Sequence, residues 1–297
     1  MNVLDLVGNT PLVELKNILP QDAQVRIFAK AEYLNASGSV KDRAALSMIR
    51  SGLKTGALTQ GKTIVDSTSG NTGIAYAMIG AALGYKVILF MPANVTTERK
   101  RVMKAYGATV IETPALEGME GAYLRCKQLV ESKPEEYFYP DQFTNDANWQ
   151  AHYLCTGEEI WRQTSGLVTH FIAGTGTSGT FMGCTRRLKE HDPKIKCITV
   201  SPDLPFHGIE GIKHFSKLNT NGFFRKEESD GKIEVSTEEA YKMTRKLSNQ
   251  EGVFVGISSG ANVTAAVRVA QTAPAGSVIV TVLCDNGCRY LTSHVWS

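Results

Sequence analysis

Three short stretches concentrate the residue types that can do chemistry. Ser67-Thr68-Ser69-Gly70-Asn71-Thr72-Gly73 is an unbroken run of small, mostly polar residues. Hydroxyls and glycines let successive backbone N–H groups turn toward one point, and ahead of a helix that point attracts an anion such as a substrate carboxylate. The plain alternative is a hydroxyl-rich helix cap, although a cap needs only one or two such residues. Gly174-Thr175-Gly176-Thr177-Ser178-Gly179-Thr180 has the GxGxxG spacing of a dinucleotide site. The acidic residue expected about 20 positions on is poorly placed, because Asp203, the best candidate, lies past the next strand. No lysine follows the last glycine, which excludes a P-loop and leaves a phosphate cradle of N–H groups and hydroxyls. The third stretch, Leu34-Asn35-Ala36-Ser37-Gly38-Ser39-Val40-Lys41-Asp42-Arg43, puts a lysine in a Ser/Gly-rich loop before a helix starting near Arg43. An arbitrary lysine is a solvated charge; beside a phosphate cradle and a carboxylate loop it becomes a nucleophile.

The elements that must position these stretches follow from hydrophobic patterning. Strands are expected at Thr63–Asp66, Lys86–Met91, Thr109–Glu112, Thr169–Ala173, Cys197–Ser201 and Ser277–Cys284. Helices are expected at Thr72–Leu83, Thr97–Tyr106, Met119–Glu131, Trp149–Gln163, Thr180–Glu190, Thr237–Asn249 and Gly260–Ala273. Gly84 and Gly107 mark helix ends and Thr97 an N-cap. This alternation makes an α/β protein of two lobes, each a mostly parallel sheet flanked by helices. The aromatic stretch Tyr137–Trp149 is the crossover between them, and His207–Asp230 is an irregular loop. In such folds a ligand sits outside the carboxyl ends of the strands, which is where both glycine-rich stretches fall.

With 297 residues, 42% hydrophobic and 21% charged, the chain has an ordinary globular composition and room for two domains. Thirty-two basic against 29 acidic side chains, without blocks, argue against nucleic-acid and membrane-surface partners and suit a small anionic ligand. Cys126, Cys155, Cys184, Cys197, Cys284 and Cys288 form neither a disulfide framework nor a CxxC motif, and are expected to be reduced, mostly buried thiols. Neither they nor His152, His170, His191, His207, His214 and His294 show metal-ligand spacing, so no metal is expected, and His152 reads as a structural hydrogen-bonder. The opening MNVLDLVGNTPL lacks the pattern of a secretion signal, and the uncharged run Ser67–Tyr85 begins too polar for a bilayer. The expectation is a soluble cytoplasmic protein.

A phosphate cradle, a carboxylate loop and a lysine amine together meet the anchoring needs of pyridoxal phosphate and an amino acid, the lysine joining the cofactor's aldehyde. At this point the chain resembles a known family along its whole length: the fold-type II pyridoxal-phosphate enzymes (tryptophan synthase β-like) of the cysteine synthase and cystathionine β-synthase group. Five motifs carry the resemblance in the family's order. They are Gly8-Asn9-Thr10-Pro11-Leu12, Ser37-Gly38-Ser39-Val40-Lys41-Asp42-Arg43, Thr68-Ser69-Gly70-Asn71-Thr72-Gly73, Gly176-Thr177-Ser178-Gly179-Thr180 and Gly256-Ile257-Ser258-Ser259-Gly260. Gln142-Phe143, Asn148, Ala151-His152-Tyr153 and Arg289-Tyr290-Leu291 also fit. The runs 41–49 and 117–122 resemble the short B-type branch, the O-acetylserine sulfhydrylases, and the regulatory tail and haem segment of animal cystathionine β-synthases are not expected.

The resemblance implies roles. Lys41 would carry the cofactor and act as the base at the substrate Cα. Asn71 would meet the cofactor's 3′ oxygen, Gly176, Thr177, Ser178, Gly179 and Thr180 its phosphate, and Ser258 the pyridine nitrogen. Thr68, Ser69, Gly70, Thr72 and Gln142 would bind the substrate. Lys213, in the segment Gly208–Phe215 where the B-type branch has a mobile basic loop, would meet a second anion. The lobes would be a small mobile substrate-binding lobe, 36–145, and a large cofactor-binding lobe, 1–35 with 146–297. The implied reaction is β-replacement, making L-cysteine or S-sulfocysteine from O-acetylserine and sulfide or thiosulfate, in a homodimer. Cystathionine β-synthase and O-phosphoserine sulfhydrylase are sibling readings. A nicotinamide dehydrogenase would leave Lys41 without a role, and a non-catalytic binding protein would not need Lys41, Asn71 and Ser258 together. The sequence departs from the family pattern at Ala36, where a proline is usual, at Asn286 and Cys288, and at Ser178, where glycine or threonine is frequent and no cost is expected.

Overall fold

The computed structural model describes residues 1–218 and 222–296. Among the described residues ten strands run in chain order: β1 (Leu12–Leu15), β2 (Arg26–Ala31), β3 (Thr63–Ser67), β4 (Val87–Pro92), β5 (Thr109–Thr113), β6 (Tyr137–Phe138), β7 (His170–Gly174), β8 (Lys196–Pro202), β9 (Gly231–Val235) and β10 (Val278–Leu283). The α-helices are α1 (Lys41–Thr55), α2 (Asn71–Leu83), α3 (Thr97–Ala105), α4 (Gly118–Ser132), α5 (Ala147–Ala151), α6 (Glu158–Gln163), α7 (Gly179–His191), α8 (Thr237–Glu251) and α9 (Ile257–Ala270). They build two compact units, one of Met1–Val7 with Lys41–Asn148 and one of Gly8–Val40 with Trp149–Ser297.

The first unit holds a four-stranded parallel sheet in the order β5-β4-β3-β6. Its inner strand β3 is buried from Ile64 to Ser67, and Val65 and Phe90 pack with Ala122 and Cys126 of α4. Helix α2 is buried continuously from Thr72 to Gly80, so it shows no polar face in the sequence. Its approach to the sheet depends on Gly73, where a Cβ would sit 2.7 Å from Thr68 Cγ2.

The second unit holds a six-stranded sheet, β1-β2-β10-β7-β8-β9, parallel except for the antiparallel edge pair β1–β2. Both faces are apolar, as parallel strands covered on two sides require. Ile172, Ile279 and Leu283 point into one core with Ile257, Ala261 and Ala265 of α9, whereas Phe171, Ala173, Val280 and Val282 point into another with Phe181, Met182 and Leu188 of α7. The alternation along β7 and β10 is the period of two expected of a strand.

The six expected strands all form, within one or two residues of their expected limits, and the irregular stretch 207–230 holds only two three-residue turns of 3-10 helix among its described residues. Four strands were not anticipated. β2 hides its strand character behind Arg26 and Lys30, β6 is two residues long, and β1 and β9 lie at sheet edges. Thr97 is the first residue of α3, the cap position belonging to Thr96. The helix expected at Trp149–Gln163 starts earlier and is interrupted by a π-helical turn, His152–Gly157. The units divide at Val40/Lys41 and Asn148/Trp149, and Met1–Val7 joins the first of them. Among the described residues no helix is long and apolar enough to cross a membrane.

Candidate functional site

In the first unit the chain leaves the carboxyl end of β3 at Ser67 and enters α2 at Asn71, so Thr68, Ser69 and Gly70 form the strand-to-helix loop. Thr68 N–H donates to Phe90 O (3.0 Å), which fixes the loop to the sheet, and Gly70 N–H donates to Thr68 Oγ1 (3.3 Å). Gly70, the N-cap of α2, supplies no side chain, so no side-chain cap covers the first turn of this 13-residue helix, an end that favours an anion. The buried Thr72 hydroxyl donates to Gln142 Oε1 (2.9 Å), and Asn148 Nδ2 donates to Gln142 O (2.6 Å). Gln142, distant in sequence, is thereby held against the first turn of α2. Lys41 is the first residue of α1, half-buried and followed by buried Asp42 and Arg43.

In the second unit the corresponding loop runs from Gly174, the last residue of β7, to Gly179, the first of α7. Gly176 is required by packing, since a Cβ there would lie 2.4 Å from Gly211 O. Ser178 takes the N-cap position in the left-handed conformation, φ +73°, and makes no capping hydrogen bond. This is where the expectation of a cost-free serine is corrected: an L-residue in that region is strained. Thr177 Oγ1 accepts from Gly179 N–H (3.3 Å). The donor set, N–H groups at the start of a 13-residue helix with the hydroxyls of Thr177, Ser178 and Thr180, fits a phosphate group. Ser258 is the second residue of α9, which also begins without a side-chain cap at Gly256. By contrast α8, which bears no candidate residue, begins with a complete capping box between Ser236 and Glu239.

The segment Gly208–Phe215 makes several contacts within this unit. Ile209 and Ile212 are buried, Gly208 N–H donates to Thr237 Oγ1 (2.9 Å), and Lys213 N–H donates to Thr175 O (2.8 Å). Lys213 therefore lies at the edge of the phosphate-loop backbone, and burial lowers the pKa of its amine. A Cβ on Gly211 would lie 3.7 Å from Ser258 Oγ.

His152 is a structural hydrogen-bonder, as expected, whereas Arg99 and Asp66 escaped the sequence. His152, fully buried in the π-helical turn, shares hydrogen bonds with Thr156 Oγ1 (2.9 Å) and Thr180 Oγ1 (3.3 Å), so the ring expected to be structural supports the phosphate loop itself. Arg99 is buried beneath the substrate loop, its Nη1 3.5 Å from Ser69 O; within the run Arg99-Lys100-Arg101 it looks like any surface cation. Asp66 is buried at the end of β3, where desolvation, partly offset by the Ser67 N–H and reinforced by the charge of Asp141, pushes its carboxyl up to about 7. Burial likewise pushes the Cys197 thiol up to about 12 and Cys126 higher still, so neither is a thiolate nucleophile. Cys155 and Cys288 are exposed, against the expectation of mostly buried thiols. Among the described residues no group of three or more His, Cys, Asp or Glu is arranged to hold a metal ion.

Comparison with known proteins bears on the whole chain. The model of a family described as pyridoxal-phosphate dependent enzyme matches residues 3–285. The chain is 52% identical to a cysteine synthase of Aquifex aeolicus, covering 99% of this chain and 92% of that protein. It is 42% identical to cysteine synthase B of Salmonella typhimurium, covering 100% and 96%. Among solved structures it superposes on an O-acetylserine dependent cystathionine beta-synthase of Helicobacter pylori with a TM-score of 0.93 at 39% identity, covering 100% and 98%.

Proposed function

The chain belongs to the pyridoxal-phosphate dependent enzyme family, and from that premise we propose that it is a cysteine synthase, replacing the acetyl group of O-acetylserine by a sulfur nucleophile. The dinucleotide reading of Gly174–Gly179 falls with the same premise. The observation that carries the proposal is positional: Lys41, Asn71, the 176–180 loop and Ser258 all occupy or lead into the first turn of a helix, α1, α2, α7 and α9 in turn. Helix starts offer N–H groups and a positive dipole end to an anionic cofactor and an anionic substrate.

Pyridoxal phosphate supplies an electron-withdrawing aldehyde and ring that acidify the substrate's Cα–H. Lys41 would hold it covalently, and the Lys41 amine, when free, would take the Cα proton and return it to the same carbon, acetate leaving Cβ and the sulfur nucleophile adding there in between. Thr68, Ser69, Gly70 and Thr72 would orient the substrate's carboxylate through backbone N–H groups and the Thr68 and Ser69 hydroxyls, the Thr72 hydroxyl instead holding Gln142 in place. Gly176, Thr177, Ser178, Gly179 and Thr180 would bind the phosphate, and Asn71 the 3′ oxygen. Ser258 would face the ring nitrogen with a neutral hydroxyl, which, unlike a carboxylate, would not keep that nitrogen protonated and so suits loss of a β leaving group better than transamination. Lys213 takes a second anion, the extra charge of thiosulfate or of a phosphorylated donor. A homodimer and a cytoplasmic location belong to the same proposal.

The test is chemical. The purified protein should be yellow, and borohydride should fix the cofactor to the peptide containing Lys41. A Lys41→Ala variant should retain the fold and lose turnover. A colourless wild type that takes up no added pyridoxal phosphate would reject the reading. The likeness to the Helicobacter pylori enzyme favours a second acceptor, homocysteine. Offering sulfide, thiosulfate and homocysteine together and analysing the products decides among them.

A further inference from the structure

The two central strands of the large sheet part company before they reach the cofactor loop. The register between β10 and β7 pairs Ile279 with His170 and Val280 with Phe171 and goes no further, whereas β10 stays paired with β2 as far as Leu283 and Ala31. Beyond the last pair, two side chains replace the missing ladder. Thr281 Oγ1 donates to Ile172 O (2.9 Å). One step nearer the loop, the amide of Asn262, 1% exposed on α9, spans the gap: its Oδ1 accepts from Gly174 N–H (2.8 Å), and its Nδ2 donates to Val282 O (2.9 Å) and toward Cys284 Sγ (3.4 Å). A primary amide carries one acceptor and two donors, so it can stand in for a peptide group where strands splay.

The groups it joins are neighbours of the proposed cofactor ligands. Gly174 opens the 174–180 loop. Asn262 lies one helical turn beyond Ser258, on the same side of α9. Cys284, at its third contact, donates its N–H to Ser259 Oγ (2.8 Å) and accepts from Val40 N–H (2.8 Å), the residue before Lys41 in the chain. We infer that Asn262 is a positioning residue that fixes the spacing of the phosphate loop, Ser258 and the Val40 peptide, and so sets how tightly the cofactor is held. The inference rests on the pyridoxal-phosphate reading above.

Thr281 provides the control, because it is as buried, bridges the same two strands and stops short of the loop. Apoprotein of wild type, Asn262→Leu and Thr281→Val is titrated with pyridoxal phosphate, and the 31P resonance of the bound phosphate and the urea midpoint of the apoprotein are recorded. Both substitutions should lower the midpoint. Asn262→Leu alone should weaken cofactor binding about tenfold or more and move the 31P resonance toward that of free cofactor, Thr281→Val staying within about twofold of wild type. Asn262→Thr, which retains one hydroxyl in a similar volume, should show the same two changes more weakly and serves if the leucine variant does not fold. Normal affinity and an unmoved 31P resonance in the Asn262 variants, beside a wild type that binds normally, would overturn the inference. A wild type that binds no cofactor would instead overturn the parent reading.

Discussion

At φ +73° Ser178 occupies a backbone region where a Cβ costs about 1–2 kcal/mol, and no capping hydrogen bond from its side chain repays it. Ser178→Gly should therefore stabilise the apoprotein by about 0.5–1 kcal/mol after the extra entropy of glycine in the unfolded chain, read as a higher urea midpoint. Ser178→Val should lower it, since a β-branched residue tolerates that conformation least. Thr72 gives a second prediction at this scale. Its hydroxyl holds Gln142 Oε1 at 2.9 Å, and Thr72→Val removes that hold without changing the volume of the site. KM for O-acetylserine should rise about tenfold with a smaller change in kcat, as expected when a contact is made equally to bound substrate and transition state. An unchanged KM would show that Gln142 needs no such support. The residues of the loops were legible in the sequence because small hydroxyl and glycine residues in a row have few other uses. Gln142 and Ser258 came from the resemblance, and Asn262 and Arg99 from neither, because an amide or a guanidinium carries no mark of what it will face across the fold.

Strands β1 and β2 show why part of the architecture stayed hidden. Lys30 is fully buried within β2, where its Nζ meets Glu159 Oε2 (2.5 Å), Thr10 O (2.5 Å) and Gln163 Oε1 (3.1 Å). Around it Thr10 Oγ1 donates to Glu32 Oε1 (2.7 Å), Asn35 Nδ2 to Glu32 Oε2 (2.7 Å) and Asn9 N–H to Glu159 Oε1 (3.0 Å). The motif Gly8-Asn9-Thr10-Pro11-Leu12 is thus an anchor into a buried polar network, and a lysine in the strand breaks the apolar pattern by which strands are recognised. The parallel inner strands were legible because both of their faces are apolar; the edge strands and the π-helical turn were not, because their definition lies in tertiary partners. Lys30→Met should cost about 3–5 kcal/mol by leaving the Glu159 carboxylate buried without its counter-ion. The double variant Lys30→Met/Glu159→Met should recover most of that loss, measured as unfolding free energy in a double-mutant cycle. Equal destabilisation by the single and double variants would mean that the network acts through shape and not through its charges.

For the molecule as a whole, a buried group whose pKa differs between the folded and unfolded chain makes stability depend on pH, and Asp66 is such a group. The unfolded chain releases its proton near pH 4, as an ordinary aspartate does; in the folded chain burial keeps the proton on up to about 7. Tyr76, Tyr139 and the Cys126 thiol lie around it, all held neutral by burial; hydrogen bonds from Ser67 N–H and Tyr76 favour its ionisation, and the charge of Asp141 opposes it. Between pH 4 and 7 the native state thus binds a proton that the unfolded state has lost, and stability falls as pH rises, by up to about 1.4 kcal/mol per unit. The contribution is complete below pH 4 and gone above about 7. Asp66→Asn keeps an oxygen for the Ser67 N–H (2.7 Å) and cannot ionise, so it should match the wild type at pH 4.5 and exceed it by a few kcal/mol, about two to four, at pH 8. Urea midpoints at pH 4.5, 6 and 8 measure the difference, which cancels every group the two proteins share. Parallel curves for the two proteins would place the ionisation of Asp66 outside this range and remove it as the source of the slope. Because β3 runs from Asp66 into the substrate loop, the same substitution should leave the loop's hydrogen bond from Thr68 to Phe90 intact, and with it the affinity for O-acetylserine, at every pH at which both proteins are folded.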